Sequence, residues 1–177
     1  MTDLVITLIG NDRPGIVESV AATVADHGGN WLEGRMAHLA GKFAGILRVE
    51  VVDERASALQ GALARLEETG LRVFVMVEPG GPPAPVGHFH AMELELLGLD
   101  RPGLVREISH LLASRHINVE ELASDVYSAP MAGDAMFRAR ARVHVPAQIE
   151  IEELRRSLER LAGDLMVDIR LAEIKKR

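Results

Sequence analysis

The chain has 177 residues, which is enough for one ordinary domain or two compact ones. A hydrophobic fraction of 47% indicates a globular protein with a real core, and a net charge of −6 argues against the basic surface of a nucleic-acid-binding domain. The absence of cysteine excludes disulfides, thiol nucleophiles and cysteine-ligated metals. Because the first apolar stretch, residues 4–9, is too short for a signal peptide or a membrane span, we expect a cytoplasmic protein.

Hydrophobic periodicity predicts six elements in the first 78 residues. Residues 4–9 are a nearly continuous apolar run, as expected of a buried central strand, and residues 16–24 carry apolar side chains at helical spacing. Gly28-Gly29 stops that helix. The predicted elements in chain order are a strand at 4–9, a helix from 16 to about 27, strands at 31–39 and 43–52, a helix at 59–66 and a strand at 71–77.

The second half of the sequence repeats the first. Gly10–Val17 returns as Gly98–Val105, and Asn30 is matched by Asn118. The repeated elements are strands at 92–97, 119–127, 135–145 and 165–171 and helices at 104–114 and 151–161. Extra residues in 128–134 predict a longer hairpin loop, and residues 79–89 have the composition of a Pro/Gly-rich linker. We therefore predict two domains, at 1–78 and 90–177.

The order βαββαβ in each copy predicts an α+β, ferredoxin-like fold with two helices on one face of a four-stranded antiparallel sheet. Fold alone does not define function, so related classes are tested by their residues. An RNA-recognition domain stacks bases on exposed aromatics, but here only Phe43 and Phe137 lie at comparable places and the chain is acidic. A metal chaperone of this fold needs Cys-x-x-Cys, which is absent.

The repeated segment Gly-x-Asp-Arg-Pro-Gly lies between a strand and a helix in both copies. We expect Pro14 in the first turn of the helix, and Gly15, without a Cβ, leaves the backbone accessible. A helix N-terminus with free N–H groups binds anions such as a ligand carboxylate. The alternative is purely structural: Asp12 only caps the helix, and the Gly-Pro pair only makes a turn. Asn30 and Asn118 are open to the same alternative, since Asn is a common turn former.

This signature, followed by Asn before the second strand, resembles that of an ACT domain, and two such domains in one chain resemble the glycine cleavage system transcriptional repressor family. The resemblance implies that amino acids bind where two ACT domains meet, at the first loop and the Asn. It also implies a non-catalytic regulator that senses a small amino acid, glycine or similar, and acts through a partner transcription activator, as a homodimer or with intrachain pairing. A regulatory subunit of a metabolic enzyme is the alternative. The implied ligand-binding residues are Asp12, Pro14, Gly15 and Asn30 in the first copy and Asp100, Pro102, Gly103 and Asn118 in the second.

The sequence predicts neither a catalytic site nor a cofactor. It contains no Walker loop, no dinucleotide-binding glycine motif and no paired carboxylates in a cleft context. Acylphosphatases share the topology, but their phosphate-cradling pattern is absent from the 13–15 loop. His88 and His90 lack a third metal ligand at suitable spacing. The alternation at 138–142 places three arginines on one strand face, predicting a solvated or salt-bridged surface, with partner binding as the alternative.

Overall fold

The computed structural model describes residues 1–78, 87–129 and 133–174. The chain divides into two units, Met1–Pro83 and Ala84–Arg177. Most of the predicted linker, residues 79–86, lies outside the described residues, as do residues 130–132 of the predicted hairpin loop. None of the helices in the described ranges is long and apolar enough to cross a membrane.

Each unit is a four-stranded antiparallel sheet with two helices on one face, which confirms the predicted fold class. The first unit contains β1 (Thr2–Asn11), α1 (Ile16–Asp26), β2 (Asn30–Leu39), β3 (Lys42–Val51), α2 (Asp53–Arg65) and β4 (Leu71–Glu78), with a 3-10 turn at Leu66–Thr69. The second contains β5 (Phe89–Leu99), α3 (Leu104–Ser114), β6 (Asn118–Ser128), β7 (Ala135–Pro146), α4 (Ile151–Leu165) and β8 (Val167–Glu173). The strand orders are β2-β3-β1-β4 and β6-β7-β5-β8, so β1 and β5 are central and β2 and β6 lie at an edge.

Alternating side chains of the central strands form the cores. Successive residues of a strand point to opposite faces of the sheet, so every second apolar side chain packs under the helices. The fully or nearly fully buried members on these strands are Leu4, Ile6 and Leu8 on β1 and Met92, Leu94 and Leu96 on β5. One apolar face of each helix completes the cluster, with Val20, Val24, Leu59 and Leu63 in the first unit and Ile108, Leu112, Leu154 and Leu158 in the second.

The edge strands β2 and β6 carry the same irregularity. The pairing of β2 with β3 shifts register between Trp31 and Glu33, and the pairing of β6 with β7 shifts between Val119 and Glu121. One extra residue changes which face of the sheet the following side chains occupy. Each edge strand therefore departs from simple alternation of its side chains at this one point.

Helix α4 is longer than the sequence predicts. It continues to Leu165, which was assigned to the last strand, and β8 begins at Val167. Leu154, Leu158 and Leu161 continue to Leu165 at helical spacing, so the longer helix keeps one apolar face on the core. Met166, with φ 51°, ends the helix in the left-handed region.

The helix-free face of the second sheet carries several ion pairs. Arg138 donates to both carboxylate oxygens of Asp125, from Nε at 3.0 Å and Nη2 at 2.5 Å. Arg140 Nε lies 2.9 Å from Glu95 Oε1, and Arg142 lies between Glu120 and Glu121. The three arginines therefore form the salt-bridged surface that their alternation predicts.

The Asp125–Arg138 pair makes a prediction about pH. The hydrogen bond from Arg138, aided by its charge, holds the pKa of Asp125 below that of an ordinary aspartate. Because the pKa is lowered in the folded state, the pair contributes stability above the ordinary aspartate pKa and loses it as pH falls through the lowered value. A carboxyl carbon NMR titration should show this low midpoint, and Arg138→Gln should raise it. Arg170→Gln, on the same face, is the control. An unchanged midpoint in Arg138→Gln would contradict the assignment.

Candidate functional site

The two Asp-Arg-Pro-Gly loops connect the central strands to the first helices in the same way. Helix α1 begins at Ile16 and α3 at Leu104, and their N-caps are Gly15 with φ 88° and Gly103 with φ 97°. Pro14 therefore lies just before the helix and not, as predicted, in its first turn. The loop needs a left-handed residue after the proline, and glycine takes that conformation without steric cost.

The space above both glycines is empty within each domain. A Cβ built on Gly15 or Gly103 would have no heavy atom within 4 Å. Packing thus does not require glycine here, but the positive φ does, because an L-residue is strained in that region. A bulky residue at Gly15 would strain the backbone besides filling the space, so ligand binding is better tested at a neighbouring side chain.

The first turns of α1 and α3 have no side-chain cap among the described residues. The first N–H groups of a helix have no intrahelical partner and need an outside acceptor. The interpretation of Asp12 as a mere helix cap is wrong, because the cap is Gly15. The carboxylate of Asp12 instead lies 3.7 Å from Nε2 of His38 on β2.

Backbone hydrogen bonds fix both loops against the adjacent hairpin end of the sheet. The N–H of Asp12 donates to the carbonyl of Gly41 at 3.0 Å, and the N–H of Asp100 donates to the carbonyl of Ala135 at 2.8 Å. In the second domain, Arg101 Nη2 also donates to the carbonyl of Leu165 at 2.7 Å. The carboxylate-bearing residues of the two copies are thus held at equivalent places.

Asn30 and Asn118 do not lie near these loops in their own domains. Asn30 begins β2 and is opposite Glu50, which is opposite Asp3 near the start of β1, whereas Asp12 follows the end of β1. Nine strand residues at about 3.3 Å each separate the two positions by about 30 Å. Asn118 begins β6 in the same way, opposite His144. One domain therefore cannot bring its own Asn and its own loop to one small ligand.

The second domain has an apolar cavity that sequence analysis did not predict. It measures about 180 Å³ and lies between α3 and the strands, with Val105, Ile108, Leu112, Val119, Leu122 and Ala139 among its lining residues. In the first domain Trp31 stands in place of Val119. Its ring lies over Gly34, Met36 lies over Gly45, and both side chains pack against the core of that domain. In the sequence, the difference between the two domains at this place is indicated by Trp31, which has Val119 as its counterpart.

Comparison with known proteins agrees with this architecture. Residues 2–76 match the family model of the ACT domain. The glycine cleavage system transcriptional repressors of Escherichia coli (strain K12) and Shigella flexneri are each 25% identical to the chain over 166 residues, covering 92% of it and 85% of the repressor. A crystal structure of an unknown protein from Galdieria sulphuraria matches this structure with a TM-score of 0.82 and a sequence identity of 29%. The match covers 98% of this chain and 99% of the other chain. A structure provisionally assigned as a glycine cleavage system transcriptional repressor has a TM-score of 0.72 at 23% identity, with 99% and 98% covered.

The family match to the first domain and the repetition of its fold and loop in the second identify a tandem ACT-domain protein. Within that class, the chain is related over most of its length to the glycine cleavage system transcriptional repressors.

Alanine substitutions should show whether the two loops require glycine for its left-handed backbone conformation or for the absence of a Cβ. Gly15→Ala and Gly103→Ala should each lower the free energy of unfolding by about 1–2 kcal/mol, although nothing fills the space above them. Gly61, inside α2 and equally open, is the matched control: Gly61→Ala should raise stability by about 0.5–1 kcal/mol. Denaturant unfolding measures all three variants. Loop variants as stable as the parent chain would show that the left-handed conformation is not required.

Proposed function

We propose that the protein senses a small amino acid, glycine or similar, and passes that signal to a transcription regulator of glycine metabolism by protein contact. The observation that carries the proposal is the pair of open, uncapped helix N-termini at Gly15 and Gly103. Relatives named as glycine cleavage system transcriptional repressors support the choice of pathway.

The chemistry of each loop suits the two charged ends of an amino acid. The N–H groups of the first turn of α1 can donate to a carboxylate, helped by the helix dipole. The exposed carboxylate of Asp12, or of Asp100 in the second domain, can accept from an ammonium group. Both contacts are made to the α-carboxylate and α-ammonium groups, which all amino acids share. The loops alone therefore discriminate little among amino-acid side chains.

The separation of Asn30 from its own loop supports a site shared between two ACT domains. Asn30 is exposed at the edge of the sheet, about 30 Å along the strands from Asp12. An antiparallel arrangement of two such edges would place the Asn of one ACT domain beside the loop of another. We propose that one domain supplies the loop and another supplies the Asn for each bound amino acid.

The interiors of the two domains also favour different ligands. In the first domain Trp31 and Met36 pack against the core on this side, and we propose that they restrict the first loop to glycine or another small amino acid. The cavity beside α3 begins at Val105 in the first helical turn and leaves room for an apolar side chain. The two sites need not be equivalent.

A contact with a partner protein accounts better for regulation than direct DNA binding does. The net charge is −6, and sequence-independent affinity for DNA depends on basic residues. The four α-helices in the described residues each bury one face against their own sheet. Strands separate these helices along the chain, so the described residues form no helix-turn-helix pair that could place a reading helix in the major groove.

Ligand binding should be visible as thermal stabilisation in a screen of the twenty amino acids. A ligand at one hundred times its dissociation constant adds about 2.7 kcal/mol to the free energy of unfolding, or roughly 5–10 °C in melting temperature. Asp12→Ala and Asn30→Ala should each abolish the part of the shift due to the site they form. Asn11→Ala is the matched control, because Asn11 adjoins Asp12 but its side chain accepts from Lys42.

These variants also separate the two levels of the proposal. Loss of the shift in Asp12→Ala with its retention in both Asn30→Ala and Asn118→Ala would refute the shared site but keep the loop as a binding site. No shift with any amino acid would refute amino-acid sensing itself. Asp100→Ala and Asn118→Ala repeat the comparison for the second loop.

The protein alone should give no sequence-specific shift of glycine cleavage operator DNA. A fluorescence anisotropy titration with a scrambled duplex as control measures this directly. A salt-sensitive preference for the operator by the isolated protein would overturn the proposed action through a partner. A preference that appears only with an added transcription activator is the expected result.

A further inference from the structure

The helix-free face of the first sheet is apolar at its centre. Opposite the core side chains, Ile9, Ile46, Phe74 and Met76 are 42%, 49%, 62% and 53% exposed. Ile46 and Phe74 lie on either side of Thr7, and Met76 lies opposite the half-buried Val5. We call this surface, on β1, β3 and β4, the open face of domain 1. Contiguous exposed apolar surface of this kind marks an interaction site.

The corresponding face of domain 2 shows that the fold does not require apolar residues there. In domain 1, Ile46 on β3 and Phe74 on β4 are the cross-strand partners of Thr7 on β1. In domain 2 the residues at the corresponding positions are Arg140 on β7 and Arg170 on β8, the partners of Glu95 on β5. Arg140 forms an ion pair with Glu95 and is exposed. One topology thus carries a charged face in one domain and an apolar face in the other.

Charges at the two ends of the open face have opposite sign. Arg72 and Lys42 lie at the end that carries the β2–β3 turn, whereas Glu50, Glu78 and Asp3 lie at the other end. Asp3 is neutralised by Arg48, whose Nη2 is 2.5 Å from its carboxylate, which leaves Glu50 and Glu78 as the net negative charges. From end to end the face is therefore basic, apolar and acidic.

We propose that the open face of domain 1 binds the same face of a second copy of this chain. A two-fold axis lying between the faces and across the strands places the basic end of each copy on the acidic end of the other and stacks the apolar centres. An axis along the strands would place like charges together. The charge order thus selects a self-complementary, closed dimer in which β4 of one copy lies over β4 of its partner.

The area of the face is sufficient for such a dimer. With the adjoining edge strand β2, whose Glu33 and Arg35 pair with Arg48 and Ile46, the helix-free face of the whole sheet has four strands. At about 4.8 Å spacing and eight residues of about 3.3 Å each, it covers about 500 Å². Two such faces bury about 1,000 Å² in total, which is the lower limit expected of a specific interface. Stacked sheets with interdigitated apolar side chains are a standard packing arrangement.

The test compares the same substitution at equivalent positions of the two domains. Ile9 and Leu97 occupy matching places on the two helix-free faces and are 42% and 38% exposed. Sedimentation of the full chain should show a dimer for the wild type and for Leu97→Arg, but Ile9→Arg should raise the dissociation constant by about tenfold or more because it buries an unpaired charge. Phe74→Arg, which introduces the residue that domain 2 has at this place, should do the same. A monomeric wild type, or Ile9→Arg and Phe74→Arg chains that dimerise as well as the wild type, would overturn the proposal.

Charge reversal tests the orientation without changing the apolar centre. Arg72→Glu and Glu78→Arg should each weaken the dimer several-fold, and the double variant should restore it because the two charges face each other between copies. Circular dichroism melting of each chain checks that the domains remain folded. A double variant that is weaker than both single variants would refute the antiparallel stacking.

Discussion

Each domain is organised by a central strand whose side chains must alternate between a covered face and an open one. Leu4, Ile6 and Leu8 fix β1 beneath the two helices, and the loop that follows β1 is therefore held at one end of the sheet. The same constraint applies to β5 in the second domain. The helices cover only one face, so the sequence of the other face is free to diverge. That freedom separates the ion-paired surface of domain 2 from the apolar surface of domain 1.

Asn30 and the 12–15 loop of one domain are too far apart to contact the same ligand. If the loop of one ACT domain and the Asn of another bind one ligand, there is a thermodynamic consequence. A site completed by two ACT domains couples ligand binding to the association of those domains. Each process then strengthens the other by the same free energy. Such coupling gives a small amino acid, which buries little surface, control over a much larger protein contact.

Much of the fold could be predicted from the sequence because strong periodicity and an internal repeat support the same elements. The helices from Ile16 and Leu104 and the order of strands follow from apolar spacing and turn residues. The end of α4 was missed because Leu165 fits both a helical face and a strand. Pro14 was placed in the helix because a proline at the first helical position is common, whereas here Gly15 intervenes in the left-handed region. The candidate loops were identified by repetition, but the 30 Å offset of Asn30 depends on strand pairing, which a single sequence does not display.

The extra residue in each edge strand belongs to the architecture that the two copies share. It falls between Trp31 and Glu33 in the first domain and between Val119 and Glu121 in the second, at matching places in the two copies. The left-handed Gly15 and Gly103 also match. These features are therefore common to the two copies and do not depend on the sequence differences between them. Trp31 against Val119, and Ile46 against Arg140, mark where the two copies differ. The backbone irregularity thus tolerates changes in the surrounding side chains, and the chemistry of each groove and of each helix-free surface can vary without altering the path of the edge strand.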